Sequence, residues 1–263
     1  MRLDINANQA YAYTAAQPFE AAKPTLVFVH GAENDHSVWN LQSRYFAYHG
    51  WNVMAVDLPG HGRSEGAARA TVEAMAQWLI ALLDAAGVPK VTLVGHSMGS
   101  LVALEAASRL GERIARLALL GTAYPMPVSE ELLNAARDDE PTARRMVNIW
   151  SHGPAMLIGA NPNPGMWMLG RSLRLMERMA PGVFFSDLKA CNDYRGGDAA
   201  AQAITCPTLI LLGQRDMMTA TKAGQALGKL IPGSRTLVLP GCGHAMMVER
   251  PDEVLDALIG FLA

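Results

Sequence analysis

The 263-residue chain is half hydrophobic and 17% charged, a composition that supports a sizeable folded core and excludes a disordered chain. Its formal net charge of −2 leaves no basic footprint for nucleic acid or an anionic membrane, so neither is expected as a partner. The N-terminus lacks the apolar segment of a signal peptide, no apolar run could span a bilayer, and Cys191, Cys206 and Cys242 are too scattered for a metal pair or disulfide framework, so a cytoplasmic protein is expected.

Weak alternation over Arg2–Asn6 and Ala10–Thr14 predicts a β-hairpin. Short apolar runs then recur at Thr25–His30, Asn52–Asp57, Val91–Gly95, Leu117–Gly121, Thr208–Gly213 and Arg235–Pro240. A helical pattern usually follows each run, and this alternation predicts a parallel sheet covered on both faces. Val72, Met75, Leu79, Leu82, Leu83 and Ala86 repeat at helical spacing over Thr71–Ala86, and Gly87 with Pro89 supplies the stop. A small-residue helix is predicted over Met98–Leu110, and the last helix begins at Pro251.

Between Ala123 and Ile204 the strand rhythm stops. Helices are expected near Glu130–Arg137, Thr142–Trp150 and Met166–Met179, separated by "NPNPG" and "APG". The many methionines of this stretch read first as core filler, since Met fits irregular gaps, and second as the apolar underside of a lid. The expected division is a core of residues 1–122 and 205–263 with a helical insertion over 123–204.

The stretch "GHSMG" places Ser97 between a strand and a helix, at the sheet edge where ligands collect in parallel α/β folds. Gly95 and Gly99, two residues to either side, suit a strained turn that exposes a nucleophile. A serine hydroxyl needs an adjacent base, and His244 in "PGCGHAMMVERP" lies before the last helix on the same edge. Asp216 in "GQRD" follows the strand at Thr208 and is the expected carboxylate for that imidazole. Asp57 and Glu249 are the competing acids, with Asp57 read as shaping a loop. The Met98 N–H and the Ala32 N–H are the candidate oxyanion donors, and His30 is read as a buried brace.

Taken together, "HGAENDHSVW", "DLPGHGRS", "GHSMGS", "GQRD" and "GCGHAMMVERP", in this order, make the chain resemble the α/β-hydrolase superfamily over nearly its whole length. The resemblance implies an α/β-hydrolase fold: an eight-stranded, mostly parallel sheet flanked by helices, with a helical cap after the sixth strand. Carried over position by position, it implies Ser97 as nucleophile, Asp216 as acid, His244 as base, and Ala32 and Met98 as the oxyanion hole. Glu33 stands where such relatives often have a small residue after "HGA", and is expected to turn toward solvent or the cap, with substrate binding or proton handling as the alternative.

The leading expectation is cleavage of a carboxylic ester, or a related acyl or lactone bond, through an acyl-enzyme on Ser97, with no metal or organic cofactor. Carbon–carbon bond hydrolases of dienoic ketoacids resemble sequences with Asn before the serine and Trp after the histidine, where this chain has His96 and Ala245. Dehalogenases and epoxide hydrolases need a carboxylate nucleophile. Perhydrolysis on the same triad and a non-catalytic ligand-binding module are the remaining alternatives. The expected partner is a small, apolar acyl substrate contacted by Glu33, Met217, Met246, Trp150 and Trp167. Arg171, Arg174 and Arg178 are read as a solvated stripe, with recognition of a substrate carboxylate as the alternative.

Overall fold

The computed structural model describes residues 1–160 and 165–263. The "NPNPG" break read from the sequence lies outside the described residues but for its last glycine.

The hairpin forms from β1 (Arg2–Ile5) and β2 (Asn8–Tyr13), and β3 (Thr25–Val29) is the first parallel strand. A short 3-10 helix (His36–Trp39), α1 (Asn40–Tyr48), β4 (Asn52–Asp57), α2 (Val72–Ala85) and β5 (Val91–His96) follow. Next come α3 (Met98–Leu110), a second 3-10 turn (Gly111–Arg113) and β6 (Ile114–Leu120). The stretch after β6 holds α4 (Glu130–Asp138), α5 (Glu140–Trp150), α6 (Pro154–Leu157), α7 (Met168–Met176), α8 (Val183–Asp193) and α9 (Gly197–Gln202). The chain ends with β7 (Thr208–Gly213), α10 (Thr221–Leu230), β8 (Arg235–Leu239), α11 (Met246–Glu249) and α12 (Pro251–Leu262).

Among the described residues the strands form one eight-stranded sheet in the order β1-β2-β4-β3-β5-β6-β7-β8, parallel from β4 to β8 with β1 and β2 antiparallel at one edge. The continuous apolar runs have a direct cause: successive side chains point to opposite faces, and both faces are covered. Val27, Val29, Leu93, Leu119 and Ile210 pack with α2 and α3, whereas Leu26, Phe28, Val94, Leu120 and Leu211 pack with Trp39, α1 and α12. At the carboxyl ends, Ser97 N–H donates to Leu120 O at 2.9 Å and Gly121 N–H to Leu211 O at 2.9 Å, so the loops after β5, β6 and β7 start from one rim.

Three described helices of the 123–204 stretch, α6, α8 and α9, escape the sequence pattern. Phe184 and Leu188 of α8 meet α4 and α5, while Ala190 and Cys191 join the core cluster with Ala200, Ala201 and Ile204. Burial on two sides blurs a single-face helical period.

Candidate active site

The turn after β5 holds Ser97 at φ 54° and ψ −123°, a left-handed conformation that a non-glycine residue keeps only when its surroundings enforce it. The glycines make that turn possible. A Cβ on Gly95 would stand 2.1 Å from Gly99 O, and one on Gly99 would stand 2.4 Å from both Val29 O and His30 O. The helix α3 therefore starts against the loop after β3, which brings Ala32 to the cavity that Ser97 lines. Neither the Ala32 N–H nor the Met98 N–H is engaged in a hydrogen bond among the described residues.

His244 lines the same cavity, and its Nδ1 lies 2.7 Å from Asp216 Oδ2. Asp216 is held in turn: Oδ1 accepts from the Met218 and Thr219 N–H groups at 2.8 Å each, and Oδ2 accepts from Thr219 Oγ1 at 2.6 Å. Burial works to raise the Asp216 pKa, but the adjacent His244 ring and these donors hold it below the usual carboxylate range. The structure thus brings Ser97, His244 and Asp216 to one rim, and adds Thr219, which the sequence reading overlooked. Its only sequence signal was a hydroxyl three residues past the acid in "DMMT".

The competing acids serve elsewhere. Asp57 accepts from the His36 and Arg63 N–H groups at 2.7 and 2.8 Å and meets His36 Nδ1 at 2.8 Å. Glu249 Oε2 accepts from Gly153 N–H at 2.9 Å and Gly243 N–H at 3.1 Å, bracing the loop that carries His244. His96, buried beside the triad, donates from Nε2 to His244 O at 2.9 Å, and burial together with the neighbouring His244 pulls its pKa down to about 3. His30 braces its loop, with Nδ1 donating to Gly31 O at 2.8 Å and Nε2 accepting from Leu58 N–H at 3.1 Å.

Glu33 turns toward the cap and is fully buried. It sits at φ 51°, and its Oε1 accepts from Arg144 Nε of α5 at 2.7 Å and lies 2.6 Å from Nη2 in the same ion pair, while Nη2 donates to Glu140 Oε2 at 2.9 Å. Its backbone N–H donates to Asp187 Oδ2 at 2.8 Å, and His61 Nε2 reaches the same oxygen at 2.8 Å. Burial pushes the Glu33 carboxyl up to about 8 against the pull of Arg144, with Glu140 and Asp187 adding to the rise. Glu33 does not line the cavity, so it contacts the cap in place of the substrate contact named as its alternative.

The cavity holds about 380 Å³, within the range of small-molecule sites. Trp150, Met217, Met218 and Met247 line it. Besides Glu33, two expected contacts do not. Trp167 is 73% exposed outside the cavity, because α7 begins only after it, and Met246 is fully buried in the core under α12. The arginines also separate: Arg171 lines the cavity, whereas the Arg174 side chain is 77% exposed and pairs with Glu177.

A sequence model described as "Alpha/beta hydrolase family" matches residues 26–257. The chain is 28% identical over 255 residues to a putative carbamate hydrolase, RutD, of Klebsiella pneumoniae, covering 90% of each chain. It is 26% identical to a pimeloyl-(acyl-carrier protein) methyl ester esterase of Nitrosospira multiformis, covering 90% of this chain and 94% of that one. Among solved structures, the enol-lactonase of Burkholderia xenovorans superposes with a TM-score of 0.88 at 22% identity, covering 100% of this chain and 99% of the other. At that identity the likeness is one of fold.

Proposed function

The chain belongs to the alpha/beta hydrolase family and is a hydrolase, and from that premise we propose that it cleaves a carboxylic ester, or a related acyl or lactone bond, through an acyl-enzyme on Ser97. The observation that carries this reading is the Asp216–His244 Nδ1 bond at the wall of the cavity that Ser97 lines. That bond fixes the tautomer in which Nε2 is free to accept a proton, and Asp216 stabilises the imidazolium that follows.

Ser97 Oγ attacks the carbonyl carbon while His244 Nε2 takes the hydroxyl proton, and the carbonyl electron pair moves to oxygen. The N–H groups of Ala32 and Met98 receive that oxyanion. Collapse breaks the bond to the leaving oxygen, which takes the proton from His244, and water repeats the sequence to release the acid. The names of the two sequence relatives, carbamate hydrolase and methyl ester esterase, both describe water replacing a heteroatom on a carbonyl carbon, which supports this bond class. The apolar lining favours a substrate whose acyl part is largely hydrocarbon.

Labelling with a fluorophosphonate probe tests the nucleophile. Wild type is expected to be modified at Ser97 and Ser97→Ala to remain unlabelled, with turnover of p-nitrophenyl esters lost in parallel. An unlabelled wild type, or an Ala variant with undiminished turnover, overturns the reading.

A further inference from the structure

Among the described residues that line the cavity there is one Lys or Arg side chain, set among apolar groups and a few hydroxyls, imidazoles and an amide. Met168, Val147, Leu175 and Phe184 are apolar, yet Arg171 of α7 stands with them. Its placement follows from the helix: Met168 lies one turn before and Leu175 one turn after, so the three share a face, while Arg174 is turned about 100° from Leu175 toward solvent. Arg171 Nη2 donates to Ser37 O at 3.0 Å, and no other hydrogen bond or ion pair to a described residue holds the guanidinium. Burial lowers its pKa, and the field of Asp35, occupied in capping the 3-10 helix through Ser37 N–H, only partly offsets this. A guanidinium stays charged, so a half-buried one without a counter-ion is an unfavourable arrangement that an anionic ligand would relieve.

From this lone cation among apolar walls, we propose that Arg171 forms an anion subsite and that the substrate is an acyl compound with a hydrocarbon body and a carboxylate remote from the bond cleaved. The proposal rests on the hydrolase reading above, in which the reacting carbonyl lies at Ser97. The carboxylate binds the planar fork of Arg171 through donors not used by Ser37. The apolar walls between contact the chain, and specificity comes from the cavity's charge at one end and its chemistry at the other. Arg171 is then a specificity determinant that takes no part in proton transfer.

Hydrolysis of the monomethyl esters of glutaric, adipic and suberic acids is compared with that of methyl pentanoate, hexanoate and octanoate. Wild type is expected to favour at least one anionic ester over its neutral counterpart by about tenfold or more in kcat/KM, the range of a hydrogen-bonded charge. Arg171→Met is expected to remove that preference, mainly through KM for the anionic ester, read as the ratio of anionic to neutral kcat/KM within each variant. Arg171→Lys, which keeps the charge and loses the fork, retains part of it. A preference unchanged in Arg171→Met, or a wild type that favours neutral esters throughout, overturns the proposal. Calorimetric binding of adipamic acid against hexanamide separates the two readings, because it needs no turnover. Tighter binding of the acid that Arg171→Met abolishes upholds the subsite even if Ser97 proves unreactive, and equal binding of the two sinks it even if Ser97 is labelled.

Discussion

Single residues at this site are controlled by the partners around them more than by their own chemistry. Asp216 and Glu33 are both buried carboxylates beside a cation or imidazole, yet one is depressed and the other raised. Asp216 accepts from three donors in addition to His244, whereas Glu33 Oε2 is buried with no partner among the described residues and two further carboxylates lie near it. The consequence is a pH dependence with a definite sign. Between its ordinary value of 4.5 and about 8, Glu33 keeps a proton in the folded state that the unfolded chain has lost. The folded state binds more protons there, so this group's contribution falls as pH rises, at a slope of at most about 1.4 kcal/mol per pH unit. Glu33→Gln holds the amide in the neutral form and is expected to flatten that slope in urea melts between pH 5 and 8. An unchanged slope assigns the effect to another group.

At the scale of elements, the turn between β5 and α3 depends on backbones touching without side chains. Gly99→Ala forces a methyl into the carbonyls of Val29 and His30, which are backbone atoms and cannot rotate aside. The expected loss is about 3 kcal/mol, the upper part of the range for overpacking, with hydrolysis lost as Ser97 and the Ala32 loop move apart. Chemical denaturation and ester turnover read the two effects, and a variant as stable as wild type contradicts the close approach. The Arg144–Glu33 pair is another tie between elements, joining α5 to the loop after β3. Arg144→Met leaves a buried carboxyl that is tolerated while protonated, so its destabilisation is expected to grow from pH 6 to pH 9.

Across the whole molecule, packing divides the helices after β6 unevenly. Leu132, Ala136, Ala143, Phe184 and Leu188 form a small cluster apart from the main core, and Leu175, Met179 and Val183 form another. From Ala190 onward the chain packs on α3 and the sheet. Small clusters open at lower free energy than a shared core. Amides of α4, α5 and α7 are therefore expected to exchange hydrogen well before those of α3, β5 and α9. If α9 exchanged with α4 and α5, the insertion over 123–204 would behave as one body, as the sequence rhythm alone proposes. Such a division would let the wall that carries Trp150 and Arg171 move relative to the wall that carries Ser97 and His244.

The sequence alone determined the sheet, the order of Ser97, Asp216 and His244, and the tight turn at Gly95 and Gly99. These features are written in local patterns: apolar runs doubly buried, a helical period on one face, glycines at fixed offsets. It did not determine the surroundings of Glu33, the exposure of Trp167, the core position of Met246 or the separation of Arg171 from Arg174 of the same helix. Each depends on which distant element packs opposite, and a side chain's environment there is set by residues a hundred or more positions away, as Arg144 is from Glu33 and Ser37 from Arg171. Spacing along a helix says which residues share a face, but only tertiary packing decides whether that face meets water, a carboxylate or a cavity.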